Sequence, residues 1–582
     1  MLQATNFDNL SDGRKSHPEV PKNIDFTWGV KIPMRDGVLL NATVYKPKEG
    51  SPTPAIFTLT PYVADTYHPR GIYFAQNGYV FAAVDSRGRG NSEGTFEPFA
   101  CEANDGYDIV EWLAGQPWCD GQVTMWGGSY GGFDQWLTLR ESPPHLRTIV
   151  PVASAHAAVD FPFFANILYS YEMQWQTFTS GVTRNTAIMD DSNFWIEKFQ
   201  EMYQHHLPFT ELDRIVGNHS TFFQTWITHP HPDAYWDKMA LTPQQYDQIS
   251  LPILTITGHY DADQPGAIEY YRRHMASKSN HKDAHYLIIG PWDHPGTRDP
   301  KPEFGGLKFG ETCLLDMNKL HKEWYDWTMK EGKKPTFLKK RVAYFVVGEE
   351  KWKYANSLEE IPTRAQKMYL SSTDGAGDAF HSGSLETNRP NGAYSTRSDT
   401  FTYDPLDKRP GELEREEIRD YLTDQTYDLN LFGNGLVYHS EPLPKATEIT
   451  GWVKLYAWIE LDVPDTDFTV FLKEVLPDGK VIQLTQDLLR ARYRQSMRKE
   501  KLVTPGEINL YTFEGFTFFS RRIAKGSRLR LIICCPNSIY LEKNYNAGGV
   551  VAEESGKDAH TAHVILYHDQ DHPSHLELPV VR

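Results

Sequence analysis

The 582-residue sequence predicts an α/β fold followed by an all-β region, and three observations support this prediction. Short apolar runs typical of buried strands alternate with segments of helical period between residues 23 and 151. The same alternation resumes at residue 251, after an interruption. From about residue 349 onward, short alternating runs separated by Pro, Gly, Asn and Asp take its place, which is typical of a β-sandwich.

The interruption divides the α/β pattern into two parts. Residues 153–248 are rich in aromatic side chains, helical in period and poor in β-branched runs, so we predict a helical insertion. An insertion at this point is best interpreted as a cap over the functional edge of the sheet. The predicted organisation is therefore an α/β core in residues 1–152 and 249–349, a helical cap in residues 153–248, and a β-sandwich in residues 350–582.

The most informative motif is QVTMWGGSYGG at residues 122–132. Its apolar start predicts a strand and the residues after it predict a helix, so Ser129 lies at a sharp turn between the two. Such a turn exposes the serine Oγ, and we expect Gly127 and Gly131 to leave the space that side chains would fill. The helix would present its positive end and the backbone N–H of Tyr130 to a developing oxyanion. Ser129 is therefore the first candidate nucleophile.

Two further polar loops follow predicted strands. Residues 253–257 (ILTIT) run into Gly-His-Tyr-Asp, which places Asp261 at the carboxyl end of a strand. Residues 286–290 (YLIIG) run into Pro-Trp-Asp-His, which ends at His294. Ligands of open parallel sheets bind beyond the carboxyl ends of the strands, so these loops and the Ser129 turn should meet at one crevice. The chain order Ser, Asp, His is that of an α/β-hydrolase.

These three residue types together form a complete catalytic set. A neutral serine hydroxyl is a poor nucleophile, so an imidazole whose pKa lies near neutrality must take its proton. Asp261 would hold the His294 ring in the required tautomer and stabilise the imidazolium. The chain holds 22 histidines, and an Asp in a Gly-His-Tyr-Asp-Ala-Asp segment can also simply cap a turn.

Other motifs resemble a known family along nearly the whole chain. In chain order they are MRDGV at residues 34–38, TPY at 60–62, DSRGRGNSEG at 85–94, YHSEPL at 438–443, DTDF at 465–468 and RARYR at 490–494. With the three loops above, they are similar to the CocE/NonD serine hydrolases, the group of cocaine esterase, α-amino-acid ester hydrolase and X-Pro dipeptidyl-peptidase. The sequence departs from the family at residues 525–528 (KGSR), where members often carry Gly-His-Arg.

The resemblance implies a jelly roll for the C-terminal β-sandwich and a role for Tyr62. It places Tyr62 where the family has the tyrosine whose hydroxyl helps to form the oxyanion hole, beside the backbone N–H of Tyr130. A substrate α-amino group would require a carboxylate near the nucleophile. Asp160, early in the predicted cap, is the candidate from the sequence, although a helix N-cap or a surface position is the commoner role of such an Asp.

Composition and charge restrict the partners. The formal net charge of −17 argues against nucleic acid or an anionic membrane surface, because both require clustered Lys and Arg. No stretch reads as a secretory signal or a membrane-spanning helix. Five cysteines, two of them adjacent, do not suit a disulfide scaffold, so we expect a reduced, cytoplasmic protein. A chain that has lost a leader would look the same, and a homo-oligomer is compatible with the sequence.

We expect neither a cofactor nor a metal. Residues 88–94 resemble a dinucleotide-binding loop, but Glu93 stands where the third Gly is needed. Residues 261–266 begin like a calcium loop, but Pro265 and Arg272 stand at its fifth and twelfth positions.

The sequence therefore predicts a metal-independent serine hydrolase that cleaves an ester or amide of a small-molecule substrate through an acyl-enzyme. An X-Pro dipeptidyl-peptidase-like aminopeptidase or an acyltransferase would use the same three residues. A binding protein that kept the fold without catalysis is the alternative from a different class. Residue types alone do not distinguish an ester from an amide substrate.

Overall fold

A computed structural model describes residues 18–389 and 397–582 of the chain. The strands of its first part are β1 Ile24–Pro33, β2 Leu39–Pro47, β3 Thr53–Thr60, β4 Val80–Asp85, β5 Cys119–Met125, β6 Gly127–Ser129, β7 Leu146–Thr148 and β8 Pro151–Ser154. The helices of this part are α1 His68–Gln76, α2 Glu102–Ala114 and α3 Tyr130–Arg140. Strands β1 and β2 form an antiparallel hairpin, whereas β3 pairs in parallel with β4 and β5.

The next part is mainly helical and follows β8. It begins with a short hairpin of β9 Phe163–Phe164 and β10 Ile167–Leu168. Its helices are α4 Tyr171–Phe178, α5 Thr186–Met189, α6 Ser192–Gln204, α7 Leu212–Val216, α8 Thr221–Ile227, α9 Ala234–Asp237 and α10 Pro243–Asp247. The sequence fixes several helix starts, because the side chains of Asp191, Ser220, Asp233 and Thr242 accept backbone N–H groups of the first turn.

The α/β pattern then resumes. Its elements are β11 Ile253–Tyr260, α11 Gln264–Ala276, β12 His285–Asp293, β13 Glu303–Phe304, β14 Leu307–Lys308, α12 Met317–Met329, β15 Val342–Val346 and β16 Lys351–Ala355. Strand β11 lies parallel to β8 and β12, and β8 lies parallel to β6. The strands form two six-stranded sheets, in the orders β1-β2-β4-β3-β5-β7 and β16-β15-β12-β11-β8-β6. The two sheets adjoin along the chain, because β6 follows β5 after one residue and β8 follows β7 after two.

Helices cover both faces of these adjoining sheets. Successive side chains of a strand point to opposite faces, and β3 shows the consequence. Phe57 packs in one core with Phe133 of α3, whereas its neighbour Ile56 packs in a second core with Phe74 of α1 and Trp324 of α12. The fully buried strands of this region therefore read as apolar runs rather than as alternating ones.

The C-terminal part is rich in strands. They are β17 Thr363–Ser371, β18 Gly383–Glu386, β19 Ser398–Tyr403, β20 Gly435–Ser440, β21 Thr447–Gly451, β22 Lys454–Leu461, β23 Asp467–Val475, β24 Val481–Arg490, β25 Ile508–Phe513, β26 Phe519–Ile523, β27 Arg528–Cys534, β28 Ala562–Tyr567 and β29 His575–Val581, with one short helix, α13 Arg409–Glu412. Alternate residues of β22 are buried, as expected for a strand with one face on a core. Nearly all described pairings here are antiparallel.

The predicted α/β core and the β-rich C-terminal region are confirmed, whereas the domain limits at residues 152, 248 and 349 stay predictions. The MRDGV motif forms the turn of the β1–β2 hairpin, which is antiparallel because a short turn joins its strands without a crossover helix, and the parallel pairs begin at β3. In the two described ranges, no helix has the length and apolar character needed to cross a membrane.

Candidate active site

Ser129 lies at a strained turn between β6 and α3. Its φ of 62° and ψ of −124° belong to a region that residues other than glycine adopt only when the surroundings impose it. A Cβ on Gly127 would lie 2.8 Å from the Gly131 carbonyl oxygen, and one on Gly132 would lie 2.5 Å from a serine hydroxyl on β8. Around Gly131 the nearest atom would be 3.8 Å away, an ordinary contact. The expectation that Gly131 relieves crowding is therefore wrong, and Gly132 has that role.

A buried amide holds this turn against the neighbouring strand. Gln135 Nε2 donates to the carbonyl oxygens of Gly127, Gly131 and Val150 at 3.0, 3.2 and 3.0 Å. Its Oε1 accepts the Val150 N–H at 2.8 Å. Since Gln135 is fully buried, these bonds fix the turn without competition from water. Nothing in the sequence pattern distinguishes this glutamine from other polar residues of a helix.

The predicted acid and base meet beyond the ends of β11 and β12. His294 Nδ1 lies 2.7 Å from Asp261 Oδ1, and both residues are 2% exposed. Thr257 Oγ1 donates to Asp261 Oδ2 at 2.8 Å, and the Asp263 N–H donates to Oδ1 at 3.1 Å. The carboxylate is thus fixed in place before any substrate binds. Because Nδ1 faces Asp261, Nε2 is the ring nitrogen that would act on a reacting group.

A second carboxylate lies near the same ring. Asp263 Oδ2 is 3.7 Å from His294 Nδ1, farther than the Asp261 oxygen. Burial raises the pKa of Asp263 well above its usual range, although the His294 ring acts in the opposite direction. Asp261 is therefore the direct partner of the ring, and Asp263 is an additional neighbour that sequence reasoning did not assign to the site.

Ser129 and His294 line one small cavity of about 70 Å³. The other predicted site residues Tyr62, Tyr130 and Asp160 line it too. Aromatic side chains form much of the remaining wall, among them Phe99, Phe161, Tyr169, Trp175, Phe199 and Tyr540. Two further acidic side chains, Glu172 and Asp263, complete it, and none of the described lining residues is Lys or Arg. We call this space the acidic cavity.

The Tyr62 hydroxyl is held beside Ser129. It accepts a hydrogen bond from the Trp175 indole N–H at 3.1 Å and forms another with the Ser129 side chain. Burial raises the pKa of Tyr62 above its usual range, so the phenol keeps its proton. Because the indole can only donate, the proton of the Tyr62 hydroxyl remains available for an oxygen at Ser129.

The Tyr130 side chain points away from the reacting groups. Its hydroxyl donates to Glu102 and accepts the Phe99 N–H at 2.8 Å. The group that Tyr130 can offer at the site is its backbone N–H, which belongs to the first turn of α3 and needs no partner within the helix.

A buried arginine connects the Tyr62 loop to the helical segment. Arg89 is 0% exposed and donates to the carbonyl oxygens of Pro61 at 2.7 Å and Thr179, at the end of α4, at 2.6 Å. Asp85 Oδ1 accepts the Ala64 N–H at 2.7 Å on the other side of the loop. Arg89 and Asp85 of the DSRGRGNSEG motif therefore hold the Tyr62 loop against the end of α4.

Asp160 lies at the site but is already engaged. Its two oxygens accept the N–H groups of His156 at 2.8 Å and Gly266 at 2.5 Å. Burial raises the pKa of Asp160 to about 8. The residue thus connects the segment after β8 to the start of α11, and recognition of an amino group by Asp160 stays a prediction.

Glu172 is a functional candidate that sequence reasoning missed. It lies in α4, is 1% exposed, and neither carboxyl oxygen has a hydrogen-bond partner among the described residues. Burial raises the pKa of Glu172 well above its usual range. A buried polar group without a partner is costly to the fold, which makes a ligand the natural partner. In the sequence, a single Glu among the aromatic residues of this helix has no pattern that marks it as a site residue.

Comparison with known proteins identifies the family. The model of the X-Pro dipeptidyl-peptidase (S15) family matches residues 36–296, and the model of the X-Pro dipeptidyl-peptidase C-terminal non-catalytic domain matches residues 328–577. Cocaine esterase of Rhodococcus sp. (strain MB1 Bresler) is 26% identical, and the alignment covers 97% of this chain and 100% of that protein.

Solved structures share the fold at low sequence identity. An aminopeptidase from a Thaumarchaeota archaeon and an α-amino acid ester hydrolase each superpose with a TM-score of 0.82, at 21% and 20% identity, over 98% of this chain and 99% of theirs. A CocE/NonD family hydrolase from Staphylococcus aureus has a TM-score of 0.69 at 17% identity, over 98% of this chain and all of that one. Matched in both halves by the two family models and along its length by cocaine esterase, the chain belongs to the CocE/NonD family of serine hydrolases.

Proposed function

We propose that this enzyme cleaves an ester or amide through a Ser-His-Asp triad of Ser129, His294 and Asp261. The observation that supports the proposal most strongly is the buried 2.7 Å contact between His294 and Asp261 beside a cavity that the strained Ser129 also lines. A screen of p-nitrophenyl esters, X-Pro substrates and free α-amino-acid amides tests it. Turnover of at least one class that is lost with Ser129 is the expected result.

The reaction follows from this arrangement. His294 Nε2 takes the Ser129 hydroxyl proton as Oγ attacks the carbonyl carbon. The Tyr62 hydroxyl and the Tyr130 N–H stabilise the oxyanion. His294 then protonates the leaving group, and an acyl-enzyme remains on Ser129. Water, deprotonated by the same imidazole, attacks the acyl carbonyl and releases the acid. Transfer to an amine in this second step would give the acyltransferase alternative.

We further propose that helices α4 to α10 act as a cap and that the C-terminal strands form a jelly roll packed on the core. Support for the cap comes from α4, which supplies Trp175 to Tyr62 and Glu172 to the acidic cavity. Support for the packing comes from Gln264 of α11, whose side chain donates to the Phe518 carbonyl at 2.9 Å and accepts the Phe518 N–H at 2.7 Å.

Tyr62→Phe should lower kcat by about 10²–10³-fold, or about 2.7–4 kcal/mol, with a smaller change in KM. The hydroxyl is used chiefly when the carbonyl oxygen becomes negative, so its loss affects the transition state most. Steady-state kinetics of purified variants on one ester measure both constants. Tyr403→Phe is a suitable control, because it removes a buried hydroxyl of the C-terminal strand β19, which donates to the Asn544 carbonyl oxygen at 3.4 Å. Kinetics of Tyr62→Phe equal to those of wild type would remove Tyr62 from the oxyanion hole.

Turnover should persist after treatment with EDTA and dialysis. The proposed steps use only Ser129, His294, Asp261 and the two oxyanion donors, so no metal ion takes part. The measurement compares the rate of turnover before EDTA treatment, after it, and after zinc is added back. Loss of activity on chelation, restored by zinc, would favour a metallohydrolase.

Glu172 favours a second candidate function, the cleavage of substrates that carry a free amino group. An ammonium group in the acidic cavity would supply the Glu172 carboxyl with a positive charge and with N–H donors for its unpartnered oxygens. This reading corresponds to the aminopeptidase-like alternative, and it assigns the amine contact to Glu172 in preference to the already bonded Asp160.

Glu172→Gln should reduce kcat/KM for an α-amino-acid ester by about tenfold or more relative to the matching ester without the amine. Gln keeps the shape of Glu and removes the charge, so the ratio of the two kcat/KM values isolates the ammonium contact. Glu201→Gln, at a more exposed carboxylate on α6, is the control and should leave the ratio unchanged. An unchanged ratio in Glu172→Gln would reject this second function.

Glu172→Gln should also raise the stability of the protein without substrate, and by a larger amount at higher pH. The folded pKa of Glu172 lies well above the ordinary value of 4.5, so above that value the unfolded chain ionises while the folded one resists ionisation. The penalty is absent below pH 4.5 and grows with pH until the folded group itself ionises. Thermal melting at pH 4 to 8 should show a Tm advantage for Glu172→Gln that increases with pH, and a pH-independent difference would contradict this.

A further inference from the structure

A second cavity adjoins Ser129. It has a volume of about 350 Å³ and shares Ser129 and Tyr62 with the acidic cavity. Its other walls come from different elements, namely the start of α1, the Trp126 turn and the segment after His294. A substrate bound at Ser129 can therefore extend into two separate spaces.

Two arginines line this second cavity. The Arg298 side chain lies against the turn that carries Ser129: a Cβ on Gly128 would come within 2.8 Å of the Arg298 Cδ. Its Nη1 atom is buried and has no hydrogen-bond partner in the described part of the chain. The Arg70 guanidinium lies 4.8 Å above the Trp126 ring, and its Nη2 donates to the Arg298 carbonyl oxygen at 3.4 Å. Among the described residues, neither arginine forms an ion pair.

The charges around the cavity leave it positive. Asp299 is the one carboxylate in the described lining, against two guanidinium groups. Burial lowers the pKa of Arg70 to about 10, aided by the charge of Arg298 and opposed by Asp299 and Asp316. Arg70 is therefore still charged at neutral pH. The acidic cavity has the opposite character, with Asp160, Glu172 and Asp263 in its wall.

We propose that the cavity lined by Arg70 and Arg298 is an anion-binding subsite for a carboxylate carried by the substrate. The inference deepens the proposed hydrolase function and rests on it. A guanidinium presents a planar set of donors that matches a carboxylate, and a partly buried one without an anion gains most from such a partner. The substrate class is then an ester or amide with a carboxylate near the scissile carbonyl, on the side away from Glu172.

Two pairs of esters test the subsite and locate the charge. 4-Acetoxybenzoate and its methyl ester differ in a carboxylate on the leaving group. Mono-4-nitrophenyl glutarate and its terminal amide differ in a carboxylate on the acyl group. The readout is the acid-to-neutral ratio of kcat/KM in each pair. Wild type should prefer the acid in one pair, and the pair that shows the preference identifies the side of the scissile bond.

Arg70→Gln and Arg298→Gln should each lower that ratio by about ten- to one-hundredfold, and the corresponding Lys variants should lower it less. Lys301→Gln is the matched control, since Lys301 lines a different cavity beside His294 and its loss removes one positive charge without touching the subsite. The ratio should stay within about twofold in that control, because screened charges outside the cavity contribute little. An acid preference in neither pair, or equal ratios in wild type and both Gln variants, would overturn the subsite.

A binding measurement separates failure of the subsite from failure of the hydrolase function. 4-Hydroxybenzoate and glutaramate, the carboxylate probes, are titrated calorimetrically into Ser129→Ala protein, which needs no turnover. At least one should bind, about tenfold or more weakly when Arg298→Gln is added. Labelling of Ser129 by a fluorophosphonate together with unaltered probe binding would reject the subsite alone. Probe binding that depends on Arg298 without labelling would reject the hydrolase function and retain the anion site.

Discussion

Ser129→Ala should abolish turnover, with a loss of kcat on the order of 10⁶-fold, while the protein stays folded. The substitution removes only the Oγ atom, and Ala fits the space because it is smaller than Ser. The strained backbone is held by groups that do not involve the serine side chain, above all the Gln135 amide. Ester hydrolysis by purified protein, with circular dichroism and thermal melting as folding controls, measures both parts.

Turnover by Ser129→Ala within tenfold of wild type, in a preparation free of contaminating esterase, would contradict the assignment of Ser129. A preparation is free of such contamination when a fluorophosphonate probe labels no protein in it. A variant that fails to melt cooperatively would be uninformative about catalysis, so Ser129→Gly and Ser129→Cys are made in parallel. Gly removes the same atom without backbone strain, and Cys retains a nucleophile at the same place.

Asp261→Asn should lower kcat by roughly 10⁴-fold without unfolding the protein. An amide at this place favours the wrong tautomer of His294 and cannot stabilise the imidazolium. Asp263→Asn is the matched control, because its carboxylate lies 3.7 Å from the same ring nitrogen, against 2.7 Å for Asp261. It should have a far smaller effect. If the two effects were reversed, Asp263 would be the acid of the triad.

The candidate reactive residues could be predicted from the sequence because each belongs to a local pattern. Ser129 follows a strand and two glycines, and Asp261 and His294 follow apolar strands whose carboxyl ends meet at one edge of a parallel sheet. Strand, turn and helix signals act over a few residues, so the sequence contains them directly. The chain order Ser, Asp, His of an α/β-hydrolase then indicated which serine, which acid and which histidine belong to one site.

The surroundings of the site could not be predicted, because they depend on contacts between residues far apart in the chain. Glu172 is a candidate only because its helix folds over Ser129, and Arg298 only because it lies against Gly128. Gly132, and not Gly131, is the crowded glycine because of the face that α3 turns toward β8, which no local pattern reveals. The C-terminal strands show the same limit, since β22 pairs with β25, β28 and β29, whose order no local pattern reveals.

The most direct test of the Ser129 assignment is the mass of the enzyme after reaction with a fluorophosphonate, followed by identification of the labelled peptide. We expect one adduct, on the peptide that contains Ser129, in wild type and none in Ser129→Ala. Labelling of Asp261→Asn should be slower, because the proposed role of Asp261 is to orient the base that activates the nucleophile. An adduct on a different serine, or a wild-type enzyme that hydrolyses esters yet takes up no label, would contradict the claim that Ser129 is the nucleophile.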